Sequence, residues 1–513
     1  MKLVILGQLK KKKNIIALLV FFLTLVVIFF FDRGLSIGLG LLVILSALTF
    51  LVLQKLGFKD RKIYLLFLIV LFIHLGTTLI MHYTSFQPFS GGKGDYLLYQ
   101  KSAINFSQNF KHGNFSFEDI TLANPGLYAG HYYPAIIGAI YTLTLPEEII
   151  GLMLNVWLVA VTIIFVYLII LEIGGDGKNA LIIGIITALY PSYVFNTGLL
   201  LKDGFEIFFT ILGLLFLIKT IKSFSWVNFI ILYLAILCST HFRFYIGYAL
   251  IITFVLSWFL FSKFSLKDRS AYGLIFIIVL GFVPQISAGQ SYYGIDTVLS
   301  LINPRMVSFY RQSAYNPNST YNNPIISTPA ASTPIVSAPT VTPSVNSTIP
   351  SNSVVSNPTN TNPISQPQTP IGLGSSFQTE GGLLGYTKSF VYVLLGPLPW
   401  QIRNLRQVFA LFETIPWYLL LLFVADGIII CFKNRNKIAA PLLIFSLIVA
   451  VVIAIFDSNY GLIVRIRIPA FVSLLCLASF GFNKNNIIYN YLNKIYEKIF
   501  GYWGSWFYRL KHS

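Results

Sequence analysis

One aspartate stands at the end of a glycine-rich turn in the stretch GGKGDYLLYQ, residues 91–100. Glycine permits a tight turn, and this turn would hold the Asp95 carboxylate at the edge of an apolar run. A carboxylate placed there can accept the proton of an attacking hydroxyl group, which is general-base chemistry. Asp95 also fits the N-cap of a helix that begins near Tyr96, and the two roles are compatible. We expect Tyr96 and Tyr99 to contact a substrate held beside Asp95.

Basic residues suited to phosphate binding occur in two further stretches. Lys202 and Asp203 lie in a turn between two apolar runs, and Arg243 lies among aromatic residues in THFRFYIGYAL, residues 240–250. Arginine binds phosphate well because its planar fork donates two parallel hydrogen bonds. The alternatives are a simple turn at Lys202 and Asp203, with Asp203 capping the next helix, and an interfacial anchor at Arg243.

Two arginines precede a proline in the stretch YGLIVRIRIPAF, residues 460–471. If the backbone from Arg465 to Ile468 is extended, Arg465 and Arg467 point to the same face. If that backbone is helical, the two side chains diverge by about 200°. Both arginines are candidates for binding a phosphate, and interfacial snorkelling is the alternative.

An aromatic stretch, GHYYPAIIGAIY, begins at Gly130. Pro134 favours extended backbone before it and a helix start at its own position. We therefore expect His131 and Tyr133 to line a substrate site, with an aromatic belt at the membrane interface as the alternative.

The composition shows where these residues must lie. The chain has 513 residues, of which 56% are hydrophobic and 11% are charged, whereas soluble domains carry about 25% charged residues. The net charge of +18 gathers in short loops and tails, which indicates membrane topology and lipid headgroups and predicts no nucleic-acid partner. Cys238, Cys431 and Cys476 have no metal-ligand spacing. The low acidic count argues against a multi-carboxylate metal cage.

Apolar runs predict an all-α polytopic protein of about twelve transmembrane helices. The candidate spans are 15–31, 34–54, 63–82, 149–172, 180–200, 204–221, 225–241, 244–262, 271–288, 415–433, 438–456 and 462–482. When Lys10–Lys13 is placed in the cytoplasm, nearly every basic cluster of the short loops falls on the same side. Both termini are then cytoplasmic. The short apolar stretches 132–145 and 387–400 become juxtamembrane or re-entrant elements on the outer side.

The chain divides into five predicted segments. A cytoplasmic segment and a two-helix hairpin cover 1–62, and a membrane core with the outer loop 82–148 covers 63–288. An outer loop, 289–414, contains the uncharged Ser/Thr/Pro/Asn-rich tract 312–379, which we expect to be disordered. The C-terminal transmembrane helices cover 415–482, and a basic cytoplasmic tail covers 483–513.

The ordered set of motifs GDYLLY, GHYYPAIIGAIY, LYPSYVFNTGLLLKDGFEIFF and RIRIP resembles the GT-C superfamily of membrane glycosyltransferases. The resemblance is to the group of protein O-mannosyltransferases and the lipid A aminoarabinose transferase, and the chain is similar to glycosyltransferase family 39. It implies transfer of a sugar from a polyprenyl-phosphate donor to a hydroxyl of a glycan, lipid or protein acceptor, with inversion at the anomeric carbon. The reaction would take place on the outer face of the plasma membrane.

The resemblance and the residues together give a set of expected roles. Asp95 is the expected catalytic base. The leaving phosphate is anionic and needs cationic partners, for which we expect Arg243, Arg465, Arg467 and Lys202. The expected substrate-binding residues are Tyr96, Tyr99, His131, Tyr133 and Asp203. We expect no organic cofactor. The sequence leaves open whether a single divalent cation binds.

Three other functions compete with this interpretation. An O-antigen-type polymerase or ligase would place its chemistry in the loop 289–414, on Arg305, Arg311, Arg403 and Arg406. A transporter or lipid flippase would show helices broken near the middle of the membrane. A structural or sensory membrane protein would tolerate substitution at all the positions named above. The richness in Lys, Ile, Asn and Phe, with short loops, favours a bacterial source.

Overall fold

The computed structural model of the chain describes residues 20, 22–58, 60–84, 86, 94–123, 132–279, 303, 383–398, 405–456, 460–482 and 494. Several predictions lie outside these residues: those on His131, Arg305, Arg311, Arg403 and the side chain of Arg406, on the tract 312–379, and on the tail 483–513 apart from Lys494. All regular secondary structure in the described ranges is helical.

The described helices follow the predicted spans closely. The first nine are α1 (Phe22–Phe31), α2 (Arg33–Lys55), α3 (Arg61–Thr84), α4 (Asp95–Lys111), α5 (Phe117–Ala123), α6 (Tyr132–Leu143), α7 (Glu148–Glu172), α8 (Gly177–Ala188) and α9 (Pro191–Thr197). The next four are α10 (Asp203–Lys222), α11 (Trp226–Phe242), α12 (Phe244–Phe261) and α13 (Leu266–Val279). The last five are α14 (Leu383–Leu395), α15 (Leu405–Lys433), α16 (Ala440–Phe456), α17 (Tyr460–Ile466) and α18 (Ile468–Gly481).

The chain is an α-helical, multi-pass membrane protein. Among the described residues, six helices are long and apolar enough to cross a membrane, namely α2, α3, α7, α10, α12 and the part of α15 from Leu411 to Lys433. The pair α8 and α9 makes a seventh if the two count as one span. Helices α1, α11, α16 and α18 are apolar but shorter. Twelve spans therefore stay a prediction.

Two predicted spans prove to be interrupted. The span 180–200 breaks between α8 and α9 with a bend of 58°, and the span 462–482 is divided at Arg467 between α17 and α18. A proline follows each break, at Pro191 and Pro469. Proline has no backbone N–H and clashes with the preceding turn, which favours a kink or a break in the helix at these positions.

Side chains from other helices satisfy the backbone groups that the first break exposes. The carbonyl of Ala188 accepts a hydrogen bond from His74 Nε2 at 2.9 Å, which places the ring proton on that nitrogen. The N–H of Ser192 donates to Glu413 Oε2 at 3.0 Å. Because unpaired backbone groups are costly in a bilayer, these two contacts stabilise the break within the protein itself.

Helix α7 forms the centre of the bundle and packs against α2, α3, α8 and α10. It is apolar around almost its whole circumference, which is typical of a helix surrounded by other helices. Its one amide, Asn155, is buried and donates to the carbonyl of Leu199 at 3.0 Å. This bond fixes the turn that leads into α10, where the candidate site begins.

Charged side chains gather at both ends of the bundle. At one end, Lys222 Nζ lies 2.8 Å from a Glu172 carboxylate oxygen, and Lys219 Nζ lies 3.8 Å from the other. Asn436 at the same end donates to the carbonyl of Ile173 at 2.7 Å. Lys219 and Lys222 lie in the last turn of α10, at the end that the predicted topology assigns to the cytoplasm, and the acidic residues of the candidate site lie at the opposite end of α10.

Helices α15 and α18 approach each other closely through glycine. A Cβ atom added at Gly427 would collide with the backbone carbonyl of Leu477, and one at Gly481 would collide with the carbonyl of Phe423. Small residues permit such close helix contacts in membranes, where van der Waals packing drives association. This crossing fixes α15 against the helix that carries Arg467 at its start.

We predict opposite effects for alanine at two helical glycines. Gly427→Ala should destabilise the protein by about 1–3 kcal/mol, because a backbone atom must move to accommodate the methyl group. Gly76→Ala should be neutral or stabilising, since no atom lies within 4 Å of the added methyl and alanine favours helix. Thermal unfolding of the purified protein in detergent checks this. Equal melting temperatures for the two variants would contradict the close crossing.

Candidate active site

Charged side chains from four places in the chain meet at one end of the bundle. They come from the start of α4, the start of α10, the junction between α11 and α12, and α17. The carboxylates are Asp95, Asp203 and Glu206, and the cations are Lys202, Arg243 and Arg465. These six residues are called the charge cluster below.

Asp203 lies at the centre of the charge cluster, in the first turn of α10. Arg465 binds this carboxylate through two nitrogens. Its Nε lies 2.7 Å from Oδ1, and its Nη2 lies 2.6 Å from Oδ2. Arg243 Nη2 donates to Oδ1 at 2.9 Å. The helix N-terminus adds a favourable partial positive charge. Two arginines and a helix dipole therefore neutralise a carboxylate that is almost fully buried.

Arg243 lies between α11 and α12, and its backbone is extended. This conformation turns its side chain into the bundle. Its Nε lies 2.5 Å from Glu206 Oε2, and its Nη1 donates to the Tyr245 hydroxyl at 2.7 Å. Burial alone would lower the pKa of Arg243, but Glu206, Tyr245 and Asp203 outweigh it and raise that pKa well above its usual range. The guanidinium thus stays charged while two carboxylates hold it.

Asp95 is the accessible carboxylate of the charge cluster. It is the first residue of α4, whose N-cap is Gly94, and its side chain does not cap the helix. Its Oδ2 instead accepts from Arg465 Nη1 at 3.3 Å. The Asp95 side chain is 42% exposed, whereas that of Asp203 is 2% exposed. Arg465 therefore links a buried carboxylate to one that can meet a substrate.

Lys202 is the cation of the cluster that makes no direct ion pair with a described residue, although the nearby Glu206 and Asp203 carboxylates favour its charged form. Within the described part of the chain, its ammonium group makes no hydrogen bond and no ion pair within 4 Å. Burial lowers the pKa of Lys202 to about 8, and the charge of Arg243 contributes to the shift. An anion bound beside Lys202 would restore the preference for the charged form.

The structure decides between the two geometries open for Arg465 and Arg467. Residues Tyr460–Ile466 are helical and Arg467 keeps helical dihedral angles, with φ −72° and ψ −11°. The two side chains consequently diverge. Arg465 enters the charge cluster, and Arg467 enters a separate buried network.

Arg467 is 1% exposed, and protein groups bind both of its terminal nitrogens. Its Nη2 donates to Glu413 Oε1 at 2.9 Å, and its Nη1 donates to the carbonyls of Val393 and Gly396 at 3.0 and 2.6 Å. The guanidinium carbon lies 4.5 Å from the centre of the Phe471 ring. The structure therefore does not bring Arg467 together with the other predicted phosphate ligands.

Glu413 joins Arg467 to the break between α8 and α9. Its Oε1 accepts from the Tyr190 hydroxyl at 2.7 Å, and its Oε2 accepts from both the N–H and the hydroxyl of Ser192. These four residues form the Glu413 network. One carboxylate thus neutralises a buried arginine and also caps the start of α9.

The sequence analysis did not single out two carboxylates of these networks, Glu206 and Glu413, although the sequence holds a signal for each. Glu206 lies three residues after Asp203, so both fall on the same face of a helix. Glu413 is an ionisable residue inside an otherwise apolar segment, and such residues are candidates for a role by default. In neither case does the sequence indicate which arginine is the partner.

The predicted aromatic residues form a buried layer beside the cluster. Tyr96, Tyr99 and Tyr133 are all buried, and the rings of Tyr99 and Tyr133 meet edge to face at 5.3 Å. Tyr133 also meets Phe205 at 5.6 Å. Burial raises the pKa of Tyr99, so its hydroxyl stays protonated. In this structure these tyrosines support the helices that carry Asp95 and Asp203.

The described residues offer no ready metal site, since they contain no group of three or more His, Cys, Asp or Glu side chains placed to hold an ion. Guanidinium groups already engage Asp203 and Glu206. Comparison with protein-family models and with curated proteins finds no match. Functional assignment therefore depends on the geometry of the charge cluster.

We predict that Arg467→Met destabilises the protein by about 3–5 kcal/mol, because it leaves the Glu413 carboxylate buried without a counter-ion. Adding Glu413→Gln should recover part of that loss, since no uncompensated charge then remains. The control is Arg61→Ala at an exposed position, expected to change stability by less than about 0.5 kcal/mol. Chemical or thermal unfolding in detergent measures all three. A double variant no more stable than Arg467→Met would contradict the ion-pair role.

Proposed function

We propose that the protein is a membrane glycosyltransferase that moves a sugar from a polyprenyl-phosphate donor to an acceptor hydroxyl. The observation that carries the proposal is the position of Asp95. Its carboxylate is accessible, it lies at the end of the bundle, and a buried chain of charges through Arg465, Asp203 and Arg243 holds it. A catalytic group on such a rigid support keeps its orientation through the reaction.

In the proposed reaction the acceptor oxygen attacks the anomeric carbon of the sugar. The bond from that carbon to the phosphate oxygen breaks, and the polyprenyl phosphate leaves with the electron pair. Asp95 takes the proton of the acceptor hydroxyl as general base. A single displacement inverts the anomeric centre. The acceptor is a hydroxyl group of a glycan, a lipid or a protein. The proposal leaves open whether a divalent cation binds beside Asp95.

Lys202 is the best candidate for direct contact with the leaving phosphate, because it is the cation of the charge cluster that makes no direct ion pair with a described residue. Arg465, which contacts Asp95 directly, would contribute a second positive charge. Arg243 is already committed to two carboxylates, and Arg467 to Glu413. We therefore assign Arg243 a role in orienting Asp203, and Arg467 a role in fixing the junction that carries Arg465.

The proposed setting is the outer face of a bacterial plasma membrane, with both termini in the cytoplasm. Twelve spans result if the shorter apolar helices and the pair α8 and α9 also cross, together with the predicted span 271–288. The concentration of lysine at the end of the bundle opposite the charge cluster supports this orientation through the positive-inside rule.

Transport of a lipid-linked sugar is the second candidate, and the broken span α8 and α9 is the observation that favours it. In transporters, such breaks leave backbone groups free for substrate. Here Glu413 and His74 bind the two groups flanking the break, which favours a structural role for it. The polymerase or ligase alternative would instead place the reaction on arginines in the loop 289–414.

We predict that Asp95→Asn lowers transfer by about 10²- to 10⁴-fold, because the amide cannot accept the acceptor proton. The measurement is transfer from labelled polyprenyl-phosphate sugars in membranes that contain the protein. The matched control is Asp119→Asn, an exposed carboxylate on the short helix α5. It should transfer at the wild-type rate.

Two outcomes of that experiment would overturn the proposal. The first is normal sugar transfer by Asp95→Asn together with loss of transfer after substitution of Arg305 or Arg311. It would assign the reaction to the outer loop and favour a polymerase or ligase. Movement of the labelled lipid across the membrane without transfer, in wild type and variant alike, would favour transport.

We also predict an alkaline limit to kcat/KM near pH 8, set by Lys202. Its folded-state pKa of about 8 lies below the usual lysine value, so the phosphate-binding ammonium form is lost as the pH rises through 8. Lys202→Arg should keep activity and move this limit to higher pH, since a guanidinium stays charged. A limit that stays near pH 8 in Lys202→Arg would assign the titration to another group.

A further inference from the structure

Glu206 is a buried carboxylate of the charge cluster that the proposed reaction does not use. Its side chain is 2% exposed, and its Oε2 lies 2.5 Å from Arg243 Nε. Among the described residues, Arg243 is its one ion-pair partner within 4 Å. Asp203, by contrast, is held by both Arg243 and Arg465. The negative charge of Glu206 is therefore less fully neutralised than that of Asp203, and it acts on other neighbours.

The start of α10 places Glu206 beside Lys202. The N–H of Glu206 donates to the carbonyl of Lys202 at 3.1 Å. Residues four apart in a helical turn lie on the same face, so their side chains are neighbours. The Glu206 carboxylate accordingly favours the ammonium form of Lys202, and it does so more strongly than the Asp203 carboxylate. The two side chains make no direct ion pair, which leaves the ammonium group available to a ligand.

Arg243 acts on Lys202 in the opposite direction. Burial is the main cause that lowers the pKa of Lys202, and the guanidinium of Arg243 is the next. Arg465, from α17, also disfavours the ammonium form, whereas Asp203 supports it. Because Glu206 contacts Arg243 and also faces Lys202, this one carboxylate offsets the repulsion between two neighbouring cations.

We infer that Glu206 is a positioning residue that keeps Lys202 charged at neutral pH, and so keeps the phosphate site cationic. The inference rests on the phosphate-binding role proposed for Lys202. Without the Glu206 charge, only Asp203 among the described residues would oppose the effects of burial and of the two arginines. Lys202 would then lose its proton at a lower pH. A neutral amine has no charge with which to hold an anionic phosphate.

Acetylation by acetic anhydride measures the charge of Lys202 without reference to sugar transfer. The reagent attacks the neutral amine, so the labelling rate against pH has its midpoint at the pKa of the side chain. Lys202 is partly exposed, and Lys101 on α4 is an exposed internal control. In Glu206→Gln, the midpoint for Lys202 should be about one pH unit lower than in wild type. The midpoint for Lys101 should not change.

Two further variants separate the charge of Glu206 from its shape. Glu206→Asp keeps the carboxylate and should keep the midpoint for Lys202 close to that of wild type. Glu206→Ala lowers the midpoint as Glu206→Gln does, and it replaces that variant if the glutamine side chain prevents folding. A single symmetric peak on gel filtration shows that each variant is folded. An unchanged midpoint in both Glu206→Gln and Glu206→Ala overturns the inference, and so does an equal decrease in Glu206→Asp.

Polyprenyl phosphate in detergent micelles tests the phosphate site itself. It should slow the acetylation of Lys202 but not that of Lys101, because a bound anion favours the ammonium form. No protection of Lys202 would contradict the phosphate site. Where transfer occurs, the alkaline limit of kcat/KM should be about one pH unit lower in Glu206→Gln. Adding Glu206→Gln to Lys202→Arg should leave the limit unchanged, since a guanidinium stays charged. A lowered midpoint in a protein that transfers no sugar would contradict the proposed function while supporting the link between Glu206 and Lys202.

Discussion

A buried charge in a membrane protein must meet an opposite charge, and this constraint organises one end of the bundle. Isolated burial of a carboxylate or guanidinium costs several kcal/mol, so each is held by partners from distant parts of the chain. Asp203 receives Arg243 and Arg465, and Glu413 receives Arg467. One set of ion pairs consequently joins α10, the start of α12 and α17, and another joins α15 to the start of α18.

Two prolines interrupt helices next to the residues that form these ion pairs. Pro191 and Pro469 each interrupt an apolar segment, and the interruption exposes polar backbone or redirects a side chain. At the first break Glu413 and His74 satisfy the backbone. At the second, the turn at Arg467 separates two arginines that are close in sequence. The charge cluster and the Glu413 network therefore meet at one short junction, between Arg465 and Arg467.

Most charges in this framework are neutralised by the protein, and those that are not indicate where other molecules bind. Asp95 is accessible and Lys202 makes no direct ion pair with a described residue, and we propose that they act on a lipid-linked sugar. Such a site suits a polar substrate at the membrane edge.

The sequence alone determined the membrane class, the approximate ends of most helices and the candidate residues Asp95, Lys202, Asp203, Arg243 and Arg465, because hydropathy and charge placement are local properties. It did not determine which charges pair. Arg465 reaches Asp203 across 262 residues of sequence, and Glu206 and Glu413 gain their roles only from such contacts. The direction of Arg467 also stayed open until the helix through Arg465 was known. Tertiary structure decided these points because an ion pair depends on distances between helices, which no local pattern encodes.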